Sequence, residues 1–162
     1  MSIEQILMIM DKLNMMHRSL LKLAYHKTEI LQSAKVEGLD ETMKNEQSHI
    51  AAISQLENQR QEAVEQFFKE RQVTSAGVAV SDLMNYASEN EKNQLEEKRK
   101  SLLLTVTTLQ NQNDMNQKLL FQSLQFVNLT LDLLRPQPDQ INYSSTSGNR
   151  KSAMQGQFDS KA

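Results

Sequence analysis

Apolar residues in the first part of the chain recur at alternating steps of three and four, the spacing of a helix that packs along one narrow face. Eight of the ten positions on this seam are apolar. The seam consists of Ile3, Ile6, Met10, Leu13, His17, Leu20, Ala24, Lys27, Leu31 and Ala34. Ser2 and Gln5 have the form of a capping box at its start, and Gly38 is a natural stop. The pattern predicts a long helix over about residues 3–37.

Two further long helices follow from the same reasoning. A weaker seam, interrupted by Glu46, Glu57 and Arg60, predicts a half-exposed helix over about 40–72. Residues 73–88 combine a glycine with β-branched residues, so we expect an irregular connector that contains a short helix. A second capping-box pattern at Ser88 predicts a third helix over 89–134, which ends before two prolines.

These elements predict an all-α protein, an elongated antiparallel helical bundle or coiled coil of three long helices. We expect residues 1–135 to form one helical domain. Residues 136–162 hold glycines, serines and scattered apolar residues without a period. They predict a flexible, disordered C-terminal tail.

The end of the third helix is unusually apolar, since residues 119–134 carry ten large apolar side chains. On a helix they fall into two stripes, whose centres lie roughly 140° apart. The first stripe is Leu120, Leu124, Val127, Leu131 and Leu134, and the second is Leu119, Phe126, Leu129 and Leu133. Gln125, Asn128 and Asp132 define the polar side.

Two interpretations of these stripes remain open. If one stripe packs against the protein's own helices, the other lies in water and marks a partner site. Alternatively, both stripes are buried between the two neighbouring helices of a three-helix bundle. The polar character of the second helix favours the partner site, because that helix offers too little apolar surface to cover both.

Composition narrows the classes of function. Hydrophobic residues make up 38% of the chain, cysteine is absent, and 18 basic residues nearly balance 20 acidic ones. The balance gives no electrostatic argument for nucleic acid or for an acidic membrane surface. Because the sequence shows no signal peptide and no run of about 18 apolar residues, we expect a cytoplasmic protein.

The sequence shows no pattern typical of an enzyme or a metal site. His17, His26 and His49 are widely spaced, and only one Glu-x-x-His pair, Glu46 with His49, is present. A di-iron helical bundle needs two such pairs on facing helices. Gly-rich phosphate loops and nucleophile elbows are missing too. We therefore expect no catalytic residue, no metal ligand and no cofactor.

Several blocks of the sequence resemble the FlgN-type flagellar export chaperones, in particular Bacillus-like members. The blocks are Leu20–Leu23 with Lys27–Leu31; Glu37-Gly38-Leu39 with Glu46-Gln47, Ile50, Ile53 and Leu56–Arg60; Asn113–Asn116 with Leu119-Leu120, Ser123-Leu124, Phe126-Val127 and Leu131; and Asn142-Tyr143 with Gly148. The ending Phe158–Ala162 is similar to that of Bacillus-type members. Residues 73–90 depart from the family's pattern.

The resemblance implies a cytoplasmic chaperone of the flagellar type III export system. Its clients would be the hook–filament junction proteins FlgK and FlgL, whose C-terminal segments it would hold before export and so keep from assembling early. The family's client-binding region maps to Leu119, Leu120, Leu124, Phe126, Val127, Leu131 and Leu134. The resemblance also implies docking at the export gate through the tail, where Tyr143 is the matching position.

One competing hypothesis keeps the fold and changes the function. A structural coiled-coil adaptor would self-associate through the same apolar stripes and would have no unfolded client. A chaperone should instead form a one-to-one complex with its client, and it would form at most a homodimer when free of client. The sequence leaves open which of the two stripes faces the client.

Overall fold

The computed structural model describes residues 1–33, 37–72 and 80–135. Within these ranges, four α-helices and one 3₁₀ turn follow one another. They are α1 (Ile3–Gln32), α2 (Leu39–Glu70), α3 (Val80–Leu83), the 3₁₀ turn (Met84–Tyr86) and α4 (Glu89–Leu134). The described residues contain no strand, which confirms the all-α class. The predicted tail over 136–162, including Tyr143, lies outside the described residues.

Helix α1 is the central element, since it packs against both α2 and α4. Lys27 donates to Glu46 over 2.7 Å, and the N-terminal amine of Met1 is paired with Glu70. Helix α2 therefore runs antiparallel to α1. Asn14 bonds to the carbonyl of Lys98 and Thr28 bonds to Asn116, so α4 runs parallel to α1. The result is the up-down-up bundle of three long helices that the seams predict.

The main core lies at one end of the bundle. Ile6 of α1, Phe67 of α2 and Leu95 of α4 meet there without solvent exposure, and Leu83 of α3 joins them. Phe67, Phe68 and Tyr86 form edge-to-face ring pairs with centroids 5.5–6.2 Å apart. Burial of these large side chains provides most of the hydrophobic stabilisation of the fold.

The opposite end of the bundle is thinner and more polar. A small cluster of Leu20, Ala24 and Leu109 is followed by a buried pair, Thr28 and Asn116. Helices α2 and α4 share few backbone contacts. At this end α1 therefore forms the floor of an open space, and α2 and α4 form its two walls.

Two helices end earlier than the sequence predicts. Helix α1 ends at Gln32, about five residues before the predicted end. Ser33 is the C-cap residue, and its backbone N–H donates to the carbonyl of Glu29. Helix α2 ends at Glu70, and Gln72 has a left-handed φ of 53°. None of the helices in the described ranges is both long and apolar enough to cross a membrane.

Candidate functional site

The last part of α4, residues 119–134, carries an apolar surface that no other part of the described structure covers. We call this segment the tip. Leu119 is half-buried, and the other six candidate residues are exposed: Leu120, Leu124, Phe126, Val127, Leu131 and Leu134. Phe126 keeps 70% of its surface in solvent and Leu134 keeps 73%. Soluble proteins rarely leave so many adjacent large apolar side chains uncovered without a partner.

Neither sequence interpretation of the two stripes was correct in detail. One interpretation placed one stripe in the core, and the other buried both stripes between neighbouring helices. The structure leaves members of both stripes exposed, for example Leu124 of the first and Leu133 of the second. The available apolar surface is therefore larger than either interpretation predicted.

The tip is exposed because α1 ends too early to cover it. Asn116 bonds to Thr28 and to the carbonyl of Ala24, so Gln32 at the end of α1 lies level with Leu120. Helix α4 then continues for about fourteen residues, or roughly 21 Å at 1.5 Å per residue. It can do so because every interior backbone group of a helix is paired within the helix itself.

A groove lies at the base of the tip, with a volume of about 590 Å³. We call it the upper groove. Its walls come from all three long helices, with Ile30 and Leu31 of α1, Leu39 of α2, and Leu119, Leu120, Leu124, Phe126 and Val127 of α4. Five of the seven candidate site residues therefore line one concavity, whereas Leu131 and Leu134 lie beyond it on the projecting helix.

The electrostatics of the tip are simple. Asp132 is the one charged residue among residues 119–134, and its carboxylate lies 3.5 Å from the guanidinium of Arg135. Both side chains are mostly exposed, so the pair adds little stability. This surface therefore offers contacts to apolar side chains and few partners for charged groups.

The histidines make structural contacts within the bundle, and Nε2 of His49 lies 2.8 Å from the hydroxyl of Ser19 on α1. The ring nitrogens of His17 and His49 lie 2.8 Å from the carbonyls of Leu13 and Asn45, one turn earlier on their own helices. His26 lies beside Glu29 at the surface. Among the described residues, no group of three or more His, Asp or Glu side chains could hold a metal ion.

Sequence reasoning missed one exposed apolar residue of the tip, and it missed the residues that other helices contribute to the upper groove. Phe121 is 62% exposed but belongs to neither stripe, so stripe counting passed over it. Ile30 and Leu39 come from helices α1 and α2, which meet α4 only in the fold. The heptad repeat of Ile9, Met16, Leu23 and Ile30 beside the main seam was a signal of a second contact face, although it did not reveal what that face meets.

Comparison with known proteins gives two matches. The model of the FlgN protein family matches residues 1–151 of the chain. The chain is also similar to YvyG of Bacillus subtilis (strain 168), described as an uncharacterized protein, with 33% identity over an alignment that covers 100% of both chains. No solved structure matches the chain.

Proposed function

Because the chain belongs to the FlgN family of flagellar export chaperones, we propose that it holds the C-terminal segments of the hook–filament junction proteins FlgK and FlgL. The observation that carries this proposal is the exposed apolar tip with the upper groove at its base. The client-binding residues of the proposal are Leu119, Leu120, Leu124, Phe126, Val127, Leu131 and Leu134.

The proposed mechanism is capture of a helix in a groove. The client's terminal segment arrives unfolded and forms an amphipathic helix whose apolar side chains pack on the tip. Burial of apolar surface drives this association. Ordering the client opposes it, so the net affinity is moderate. A moderate affinity suits a complex that must come apart at the export apparatus.

The proposal also includes where the chaperone works, what it needs and what else it contacts. The chaperone works in the cytoplasm, before export, and needs no catalytic residue or cofactor for this task. Docking at the export gate is assigned to the tail through Tyr143, which rests on the family resemblance alone. The tip is also the surface through which a client-free chain would pair with a second copy.

The test replaces an apolar residue of the tip by aspartate. Leu124→Asp and Val127→Asp place a charge on the proposed interface, where a buried charge without a partner is costly. We expect binding of a FlgK or FlgL C-terminal peptide to weaken by roughly a hundredfold in calorimetry, with unchanged helicity. Both residues are about half exposed in the free protein, so the fold should tolerate the change.

Leu104→Asp is the matched control. Leu104 lies on α4, is 70% exposed and lies outside the tip, so this variant should bind like the wild type. A folded Val127→Asp variant that binds the peptide as tightly as Leu104→Asp would contradict the proposal.

A second candidate function is a structural coiled-coil adaptor, which the same exposed surface of the tip favours. An adaptor would form a stable homo-oligomer that ignores the client peptide, whereas a chaperone forms a one-to-one complex with it. Light scattering after size exclusion, with and without peptide, separates the two by mass.

A further inference from the structure

We propose that the client helix continues past the tip into a second groove between α2 and α4, which makes α2 a client-binding element. We call this space the lower groove. It has a volume of about 320 Å³. The inference rests on the proposed function, because it extends the path of the same client.

The two grooves form one continuous path. Leu31, Leu39 and Leu120 line both of them. Below these shared residues, the floor of the lower groove is α1 as far as Leu20. One wall is α2 with Met43, Glu46 and Ile50, and the other is α4 with Asn113, Asn116 and Gln117.

Helix α2 offers an apolar edge only along this path. Met43 and Ile50 are its two exposed large hydrophobic side chains, at 47% and 56% exposure, and both line the lower groove. They lie seven residues apart, so they face the same side of the helix. A helix laid between α2 and α4 would cover both and would complete a four-helix bundle, in which each long helix has two neighbours.

The charges of the groove define what its occupant must present. Lys27 and Glu46 are the two charged residues of its lining, and they bond to each other over 2.7 Å with little exposure. The other polar groups are the uncharged amides of Asn113, Asn116 and Gln117. The occupant is therefore an amphipathic helix with apolar residues and uncharged hydrogen-bonding groups on the inner face, because an unpaired charge there would be desolvated without compensation.

The length of the path favours the client over a second copy of this chain. From Leu20 to Gln32 the floor is about 18 Å long, and the part of α4 beyond Leu120 adds roughly 21 Å, so the path suits a helix of about 26 residues. A second copy can offer only the part of α4 that projects beyond α1, which is about fourteen residues long. Residues 136–162 are long enough, but their sequence shows no apolar repeat of the kind that an amphipathic helix needs.

The test compares Ile50→Asp with Ala51→Asp in the full chain. Ala51 is exposed, is adjacent to Ile50 on α2 and does not line the lower groove. The two variants therefore carry the same charge at neighbouring positions, one inside the groove and one outside it. Calorimetry would use two peptides from the client's C-terminus, one of about 26 residues and one of about 14. We expect Ile50→Asp to weaken binding of the long peptide at least about tenfold relative to Ala51→Asp, and to leave the short peptide unaffected.

Two other outcomes would contradict the inference, and each identifies a different reason. If Leu124→Asp abolishes binding but Ile50→Asp binds both peptides like Ala51→Asp, the client does not reach α2, and the proposed function still stands. If Ile50→Asp changes only the mass of the free chain in light scattering, the lower groove holds a second copy. Met43→Asp repeats the measurement at the other exposed apolar residue, should circular dichroism show that Ile50→Asp does not fold.

Discussion

Asn116 is buried at the level where α4 leaves the bundle, and both its side-chain oxygen and its side-chain nitrogen are hydrogen-bonded. Its carbonyl oxygen accepts from the Thr28 hydroxyl at 2.6 Å, and its nitrogen donates to the carbonyl of Ala24 at 2.8 Å. Gln112 adds a bond to the same hydroxyl. A single buried asparagine in a helix seam costs stability and fixes which residues lie opposite each other. Asn116 therefore sets how far the tip projects beyond α1.

We predict that Asn116→Leu stabilises the protein but loosens the register of α4. The apolar side chain removes the cost of burying an amide, so the free energy of unfolding in urea should rise by about 1 kcal/mol. The chain has no cysteine, so a pair of spin labels on cysteines introduced at Lys22 and Asn111 reports the α1–α4 distance cleanly. Its distribution should become broader in Asn116→Leu.

Asn14→Leu is the control for this prediction. Asn14 is also buried on the α1–α4 seam, but its side-chain oxygen has no hydrogen-bond partner and its nitrogen makes one bond, to the carbonyl of Lys98. Burying Asn14 therefore costs stability, and its one bond does little to fix the alignment of α4 against α1. Asn14→Leu should raise stability similarly and leave the distance distribution narrow. A narrow distribution in both variants would show that Asn116 does not fix the register.

Helix α4 consists of two parts in different surroundings. Between Leu95 and Asn116 it packs on α1, whereas most of the tip has no neighbouring helix. A short helix without tertiary contacts is only marginally stable in water. The tip persists because it continues a helix that is already nucleated and held by the bundle.

We predict that the rate of amide hydrogen exchange along α4 changes sharply at about Phe121. Amides between Leu95 and Leu109 should exchange slowly, through opening of the bundle, and amides beyond Phe121 should exchange at least about a hundredfold faster, through local fraying. Exchange measured by mass spectrometry tests this prediction, and the client peptide should slow the fast group. Uniform protection along α4 in the free protein would mean that something already covers the tip.

The same helix shows what the sequence could and could not predict. The apolar run over 119–134 and the capping box at Ser88 are local patterns, so the sequence alone predicted a long helix with an apolar end. The exposure of both stripes depends on where α1 ends and on the pairing of Thr28 with Asn116. Pairing between helices far apart in the chain is not encoded in the spacing of one helix. For the same reason the sequence did not show that residues of α2, such as Ile50, line a groove.

At the scale of the whole molecule, three carboxylates link the fold to pH. Bonds donated by Arg60 lower the pKa of Glu57, and a bond from the N-terminal amine lowers the pKa of Glu70. The pKa of Glu91 is lowered because the hydroxyl and the backbone N–H of Ser88 donate to it. A carboxyl group with a lower pKa in the folded state binds protons more readily when unfolded. The stabilisation is therefore present above the ordinary pKa of 4.5 and is lost as the pH falls through the folded-state value.

We predict that Glu91→Gln reduces this acid sensitivity without removing the helix cap. Glutamine can fill the same place in a capping box, as Gln5 does with Ser2 at the start of α1. Thermal unfolding by circular dichroism should give similar midpoints for the variant and the wild type near pH 7. Between pH 5 and pH 3 the midpoint of the variant should fall less, because a titrating group that favours the folded state is gone. Equal slopes in that range would mean that the carboxylate of Glu91 does not contribute to the acid response, whereas a lower midpoint at pH 7 would mean that its charge, rather than its bond to Ser88, stabilises the start of α4.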